Sequence, residues 1–197
     1  MIEDWLSLVL RQCMLYSLPV LMSLSVIVQV EALYTGEASP FVRLLDSRTW
    51  LPLLAAILFH RGIIVAFPRP AAPGLKLAML RFGLHALLCL VGFLLFAWSQ
   101  HHPPAYGLPP MHYWWSKVLM FFNLCMCAMH LLPLPGMLIG EWISSRWLRL
   151  PKSGYAKNRG WSWALAVLAA TPLLDKVPGS LLVFPVYEWM ATMVARI

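Results

Sequence analysis

Residues 75–98 read LKLAMLRFGLHALLCLVGFLLFAW, a long apolar stretch in which Lys76 and Arg81 are the only Lys, Arg, Asp or Glu side chains. About 20 apolar residues in a helix span the hydrocarbon core of a bilayer, because each residue adds about 1.5 Å along the axis. This stretch therefore predicts a membrane-spanning helix.

Five further apolar segments flank this stretch on both sides. They run from about Leu6 to Leu33, Leu51 to Phe67, Tyr113 to Leu134, Trp161 to Leu174 and Gly179 to Val194. Proline removes a helical hydrogen bond, so Pro133 and Pro135 are expected to interrupt the helix at the end of the segment from Tyr113 to Leu134. The pattern predicts an all-α polytopic transmembrane bundle of about six helices, forming one integral membrane domain over residues 1–197. The last two segments fit either two spans or a re-entrant pair.

The composition agrees with a membrane protein. The chain is 60% hydrophobic and 12% charged, whereas a soluble domain carries about 25% charged residues. The net charge is +7, but the basic residues lie between the apolar segments, where they set topology and meet anionic lipid. We therefore expect no nucleic-acid partner. The four cysteines all lie within apolar segments and are predicted to be buried free thiols.

The distribution of basic residues predicts the orientation. A basic cytoplasmic loop is predicted over residues 141–160, and its Lys and Arg side chains are candidates for contact with anionic lipid or an acidic partner segment: Arg146, Arg149, Lys152, Lys157 and Arg159. The loop from Gln100 to His112 has no Lys or Arg, which places it outside by the positive-inside rule. Counting spans from there predicts that both termini are cytoplasmic, with the chain in a bacterial inner membrane.

Two motifs carry a family resemblance. Residues 58–64 read LFHRGII, and residues 130–140 read HLLPLPGMLIG. Here the chain resembles the site-2 protease family of intramembrane zinc metalloproteases, which carries HExxH in one transmembrane helix and N-x-x-P-x-P-x-L-D-G in a later one. Residues 83–88, GLHALL, look like the family's intervening helix. The resemblance extends from about Trp50 to Trp142 and implies a site-2-protease-like core over residues 50–142.

The catalytic positions implied by this resemblance are degenerate. His60 takes the place of the first HExxH histidine, but Arg61 replaces the glutamate and Ile64 the second histidine. Leu138 stands at the aspartate position, and His130 at the asparagine position. A catalytic zinc ion needs three protein ligands, and the HExxH glutamate supplies the general base. We therefore expect no catalytic residue, no metal and no cofactor.

The remaining frame predicts a role in binding. We expect a non-catalytic scaffold or accessory subunit of a larger membrane protein complex, hetero-oligomeric with other integral membrane proteins. The interrupted region supplies the candidate partner-binding residues: Leu131, Pro133, Pro135, Gly136 and Gly140. Two alternatives stay open: an active intramembrane metalloprotease with atypical ligands, which would bind zinc, and a small transporter or channel subunit, which would enclose a water-filled polar cavity.

Isolated polar residues in the apolar segments have simpler interpretations. His60, His85 and His130 are expected to pack or to hydrogen-bond between helices. Glu188 is a carboxylate within the last segment, where a charge is costly unless it is paired. We expect it to pair with a basic group of this chain or of another subunit.

Overall fold

A computed structural model describes residues 2–36, 74–103, 107, 109–133, 136–146 and 175–196. Within this part of the chain the protein is all-α, as predicted. Its helices are α1 (Ile2–Thr35), α2 (Leu75–His101), α3 (Met111–His130), α4 (Leu138–Arg146) and α5 (Phe184–Arg196), and a π-helix, π1 (Asp175–Val183), leads directly into α5. Among these elements, α1 and α2 are long and apolar enough to cross a membrane.

The helix boundaries follow the local chemistry. Helix α1 continues through Pro19, and α2 starts at the predicted residue and extends three residues beyond Trp98. Helix α3 ends at His130, four residues earlier than predicted. Pro133 disfavours helical backbone in the residue before it, and the amides of Leu131 and Leu132 close the last turn on the carbonyls of Ala128 and Met129. The predicted segments Leu51–Phe67 and Trp161–Leu174 lie outside the described residues.

Helices α2 and α3 form a tightly packed antiparallel pair. At Gly92 the two backbones come so close that an added Cβ atom would lie 2.6 Å from the backbone nitrogen of Met120. Cys89 and Phe96 bury their side chains with Met120 along this contact. A small residue at a helix crossing gives close van der Waals packing, which drives helix association in lipid.

Helix α1 lies parallel to α3. Val20 and Leu24 pack with Phe122 and Met126. The indole Nε1 of Trp115 donates to the carbonyl of Met14 over 3.0 Å, near the start of α3. Farther along both helices, Asn123 bonds to Ser23. The order of these contacts fixes the relative direction of α1 and α3.

Helix α5 packs against the α2–α3 pair and runs parallel to α2. Val183, just before α5, packs with Cys125 and Ala128 in the second half of α3. Val194, near the end of α5, packs with Phe96 and Met120. The bundle thus has a His130 end, where α1 and α3 finish, and a Tyr113 end, where α1 and α3 begin and α5 finishes.

This arrangement corrects the predicted topology. The start of α1, the α2–α3 connection and the end of α5 all lie at the Tyr113 end, so placing both termini opposite residues 100–112 was wrong. The error has a physical cause: loop charge oriented only α2 and α3, and α1 and α5 were placed by counting spans.

Candidate functional site

A row of polar side chains is buried between α1, α2 and α3. Five of them are almost inaccessible: Ser23 (0% exposed), Glu31 (5%), His85 (2%), Asn123 (0%) and His130 (1%). Polar residues inside membrane helices are costly unless they pair, and they often mark functional sites. This row is therefore the candidate site in the described part of the chain.

Asn123 is the centre of the row. Its Nδ2 donates to Ser23 Oγ over 2.8 Å and to the carbonyl of Leu119 over 2.8 Å. Ser23 Oγ in turn donates to the carbonyl of Pro19 over 2.9 Å. Because the single hydroxyl proton of Ser23 is used there, Ser23 must accept from Asn123, and this fixes the orientation of the Asn123 amide.

The remaining bond of Asn123 reaches α2. Its Oδ1 lies 2.9 Å from Nδ1 of His85, and since an amide oxygen only accepts, His85 carries its proton on Nδ1. The row therefore runs from His85 on α2, through Asn123 on α3, to Ser23 on α1. Of the two roles expected for His85, packing or hydrogen bonding between helices, the structure shows a hydrogen bond to Asn123.

An ion pair joins α1 to α2 at the His130 end. The guanidinium of Arg81 donates from Nε to Oε1 of Glu31, and its Nη2 lies 3.3 Å from Oε2. This two-point geometry is the strong form of a carboxylate–guanidinium contact. The side chains are only 17% and 7% exposed for Arg81 and Glu31, respectively. Arg81, one of the two charged residues in the apolar stretch 75–98, therefore joins α2 to α1.

His130 ends α3 beside this network. Its ring lies edge-on to Phe82 at 6.0 Å and tilted to His85 at 5.8 Å between centroids. The Nδ1 atom of His130 is buried and makes no hydrogen bond within the described residues. Leaving a buried polar atom without a partner costs roughly 1–3 kcal/mol. At this point His130 contributes ring packing and no hydrogen bond from Nδ1.

A turn at Gly136 leads into α4. Gly136 has a φ of 78°, in the left-handed region that favours glycine. Its amide donates to Oε1 of Glu141 over 3.0 Å, and the Glu141 amide donates to Met137 O over 2.9 Å. Glu141 thus ties the Gly136 turn to the first turn of α4, where its negative charge also suits the helix dipole.

The predicted partner-binding residues lie between the end of α3 and the first turn of α4. Leu131 and Pro133 are exposed, whereas Gly136 and Gly140 are half-buried. Pro135 lies outside the described residues, so the five positions are not shown to form one surface.

The predicted degenerate catalytic positions are only partly described. His60, Arg61 and Ile64 lie outside the described ranges, and Leu138 is a half-buried residue at the start of α4. Within the described ranges no three His, Cys, Asp or Glu side chains are grouped so as to hold a metal ion. Cys89 and Cys125 are buried and Cys13 and Cys127 half-buried, and none of the four is in a disulfide within the described residues.

The predicted basic surface is described at one residue. Arg146 is exposed at the end of α4, and its guanidinium carbon lies 5.9 Å from the ring centre of Trp142. Arg149, Lys152, Lys157 and Arg159 lie outside the described residues.

The sequence interpretation did not single out Ser23, Glu31 or Asn123 as site residues. The spacing of polar residues in the sequence nevertheless indicated part of this row. Arg81 and His85 are four residues apart, and Asn123 and His130 are seven apart, so each pair shares one helix face. Spacing identifies such faces, but it does not show which helices meet.

No protein-family model, curated protein or solved structure matches this chain.

Proposed function

We propose that this chain is a non-catalytic scaffold or accessory subunit of a larger membrane protein complex, built on a degenerate site-2-protease-like core. The observation that carries the proposal is the mutual hydrogen bonding of Ser23, His85 and Asn123. These groups hold three helices together, whereas a catalytic site presents its polar groups to a substrate.

A hydrolytic role receives no support from this network. Ser23 donates its proton to a backbone carbonyl, so no general base activates its hydroxyl, as nucleophilic catalysis would require. His85 and His130 approach each other, but two imidazoles fall short of the three protein ligands of a catalytic zinc site. The sequence changes at Arg61, Ile64 and Leu138 point the same way.

A transport role is likewise disfavoured. A transporter would be expected to direct polar groups toward an aqueous path near the middle of the bilayer. Ser23, His85 and Asn123 are at most 2% exposed and bond to one another. Their placement supports a role in helix association.

The outer surface of the helices offers room for partner helices. Helix α2 exposes large apolar side chains at mid-length, including Leu87, Leu90 and Leu94. Helix α5 exposes Leu182 before its start and Trp189 at its middle. Lipid and a partner helix are equally apolar, so specific association in the bilayer depends on close packing and polar contacts. At the membrane surface, Arg146 and the basic residues after it would bind anionic lipid.

The proposal is tested by the mass of the particle that contains the chain. The full chain is extracted from native membranes in mild detergent, and the protein mass of the purified particle is measured by light scattering. We expect a mass well above the 22.3 kDa of one chain, with another integral membrane protein in fixed ratio. A lone monomer with no co-purifying protein overturns the proposal. One zinc ion per chain, lost on His60→Ala, would instead establish the metalloprotease alternative.

A further inference from the structure

Helix α5 carries a carboxylate on the side that faces away from the bundle. Tyr187, Met190 and Val194 face α2 and α3, whereas Glu188 is exposed. At about 100° per residue, Glu188 is turned about 100° from Tyr187 and about 160° from Met190, so it lies on a flank of α5 and not on the side that makes these contacts. The carboxylate is therefore presented outward from the helix bundle.

Glu188 also lies near mid-depth of the bundle. The ring of its neighbour Tyr187 is edge-on to Phe121, with 5.3 Å between centroids, and Phe121 is at the middle of Met111–His130. The surrounding exposed side chains are apolar: Leu181 (71% exposed), Phe184 (43%), Trp189 (61%) and Met193 (40%). No ion pair or hydrogen bond of Glu188 is present within the described chain. In a bilayer such a carboxylate is costly until it is paired.

Pro185 lies on the same side and brings no backbone donor to it. Proline has no amide hydrogen, and Pro185 precedes Glu188 by three residues, so the two share a helix face. Its exposed side chain is apolar. This side of α5 thus combines a carboxylate, which only accepts hydrogen bonds, with a proline that cannot donate one.

We propose that this side of π1 and α5, defined by Leu181, Pro185 and Glu188, docks a transmembrane helix of another protein that carries an arginine or lysine at mid-depth. This inference rests on the proposed function and specifies its partner. Arginine and lysine side chains have only donors and a positive charge, which complements an acceptor-only patch. An ion pair between Glu188 and this cation would remove the free-energy cost of leaving each charge unpaired in lipid.

A second copy of the chain does not supply this cation. A symmetric contact through α5 would bring two Glu188 carboxylates together, because a two-fold interface pairs the same patch with itself. Lys117, the lysine of α3, is held over the rings of Tyr113 at 4.5 Å and Phe96 at 4.9 Å near the Tyr113 end. It is thus engaged within its own chain, away from mid-depth.

The test is site-specific photocrosslinking in native membranes. A photoreactive amino acid replaces Leu181 in the full chain, and the crosslinked peptides are sequenced by mass spectrometry. We expect a membrane segment of a different protein with Lys or Arg near its middle. Glu188→Gln, which keeps the shape and removes the charge, should lower the yield about tenfold or more. Thr192→Val is the matched control, because this exposed hydroxyl only bonds back to the carbonyl of Trp189 over 2.8 Å, and its yield should not change.

Several outcomes overturn the inference: crosslinks to lipid alone, to a second copy of this chain, to a helix without Lys or Arg, or an unchanged yield in Glu188→Gln. An unaltered thermal melt of the Gln variant excludes loss of the fold as the cause of a lower yield. If the purified particle keeps its large mass while the Leu181 crosslink has any of these outcomes, the docking inference fails and the proposed function stands. If the particle is a monomer, the proposed function fails as well.

Discussion

At the scale of single residues, Asn123 determines how three helices are joined. It uses both amide hydrogens and its oxygen, and its partners lie on α1, α2 and its own helix. Hydrogen bonds between membrane helices contribute about 0.6–2 kcal/mol each, which is modest. Losing the shared partner is more serious, because it leaves both His85 and Ser23 with unmet capacity in a buried site.

We therefore predict that Asn123→Leu destabilises the chain by about 2–3 kcal/mol. The measurement is reversible unfolding in mixed micelles, followed by circular dichroism. Ser116→Ala on the same helix is the control: this buried hydroxyl bonds only to the carbonyl of Tyr113, three residues earlier, over 2.8 Å. Its loss should cost under about 0.5 kcal/mol, since no contact between helices is involved. Equal effects of the two changes would contradict the assignment of Asn123 as the link.

The Glu31–Arg81 pair gives a second residue-scale prediction. Arg81→Leu removes the Arg81 guanidinium from a carboxylate that is 5% exposed, so we expect a loss of about 3 kcal/mol. Adding Glu31→Gln to this variant should restore much of the stability, because the buried negative charge is then gone. Lys76→Leu, an exposed position five residues earlier on α2, should change stability by about 0.5 kcal/mol or less. If the double variant is no more stable than Arg81→Leu, the pair does not act as inferred.

At the scale of elements, the closest approach of α2 to α3 depends on one missing Cβ atom. Gly92→Ala would place a methyl group 2.6 Å from the nitrogen and 2.9 Å from the Cα of Met120. Both are backbone atoms, so the helices must separate, and overpacking of this kind costs about 1–3 kcal/mol. Gly83→Ala on the same helix meets no atom within 4 Å, so it should stabilise by roughly 0.5–1 kcal/mol through helix propensity. Unfolding measurements on both variants check the prediction. Changes of opposite sign in the free energy of unfolding would support it, and an unchanged free energy in Gly92→Ala would contradict it.

The sequence predicted the described elements better than their arrangement. Long apolar runs fixed α1 and α2 to within a few residues, because membrane length and hydropathy are local properties of the chain. The end of α3 was placed late, since proline acts on the residues before it as well as at its own position. The polar row could not be located, because it depends on which faces of α1, α2 and α3 meet. That choice is made by packing at places such as Gly92, which composition does not show.

At the scale of the whole molecule, the decisive feature is the direction of α1. It runs parallel to α3, with Met14 beside Trp115 at one end and Glu31 beside Arg81 near the other. Residues 100–112 contain no Lys or Arg, whereas the basic residues from Arg146 to Arg159 follow α4. The positive-inside rule then predicts that the Tyr113 end lies outside and the His130 end in the cytoplasm. The start of α1 should therefore share a side with the α2–α3 connection.

We predict that single cysteines at the two ends of α1 react from opposite sides of the membrane. The native cysteines are first replaced, and Leu6→Cys, Tyr34→Cys and His102→Cys are tested one at a time with a membrane-impermeant thiol reagent. Leu6 and His102 lie at the Tyr113 end and should react from outside, whereas Tyr34, which is 57% exposed near the end of α1, should react only after the membrane is opened. His102→Cys is the internal reference, because loop charge alone assigns its side. If Leu6→Cys and His102→Cys react from opposite sides, α1 runs in the opposite direction. That result would contradict the contacts of Ser23 and Glu31 that hold the bundle together.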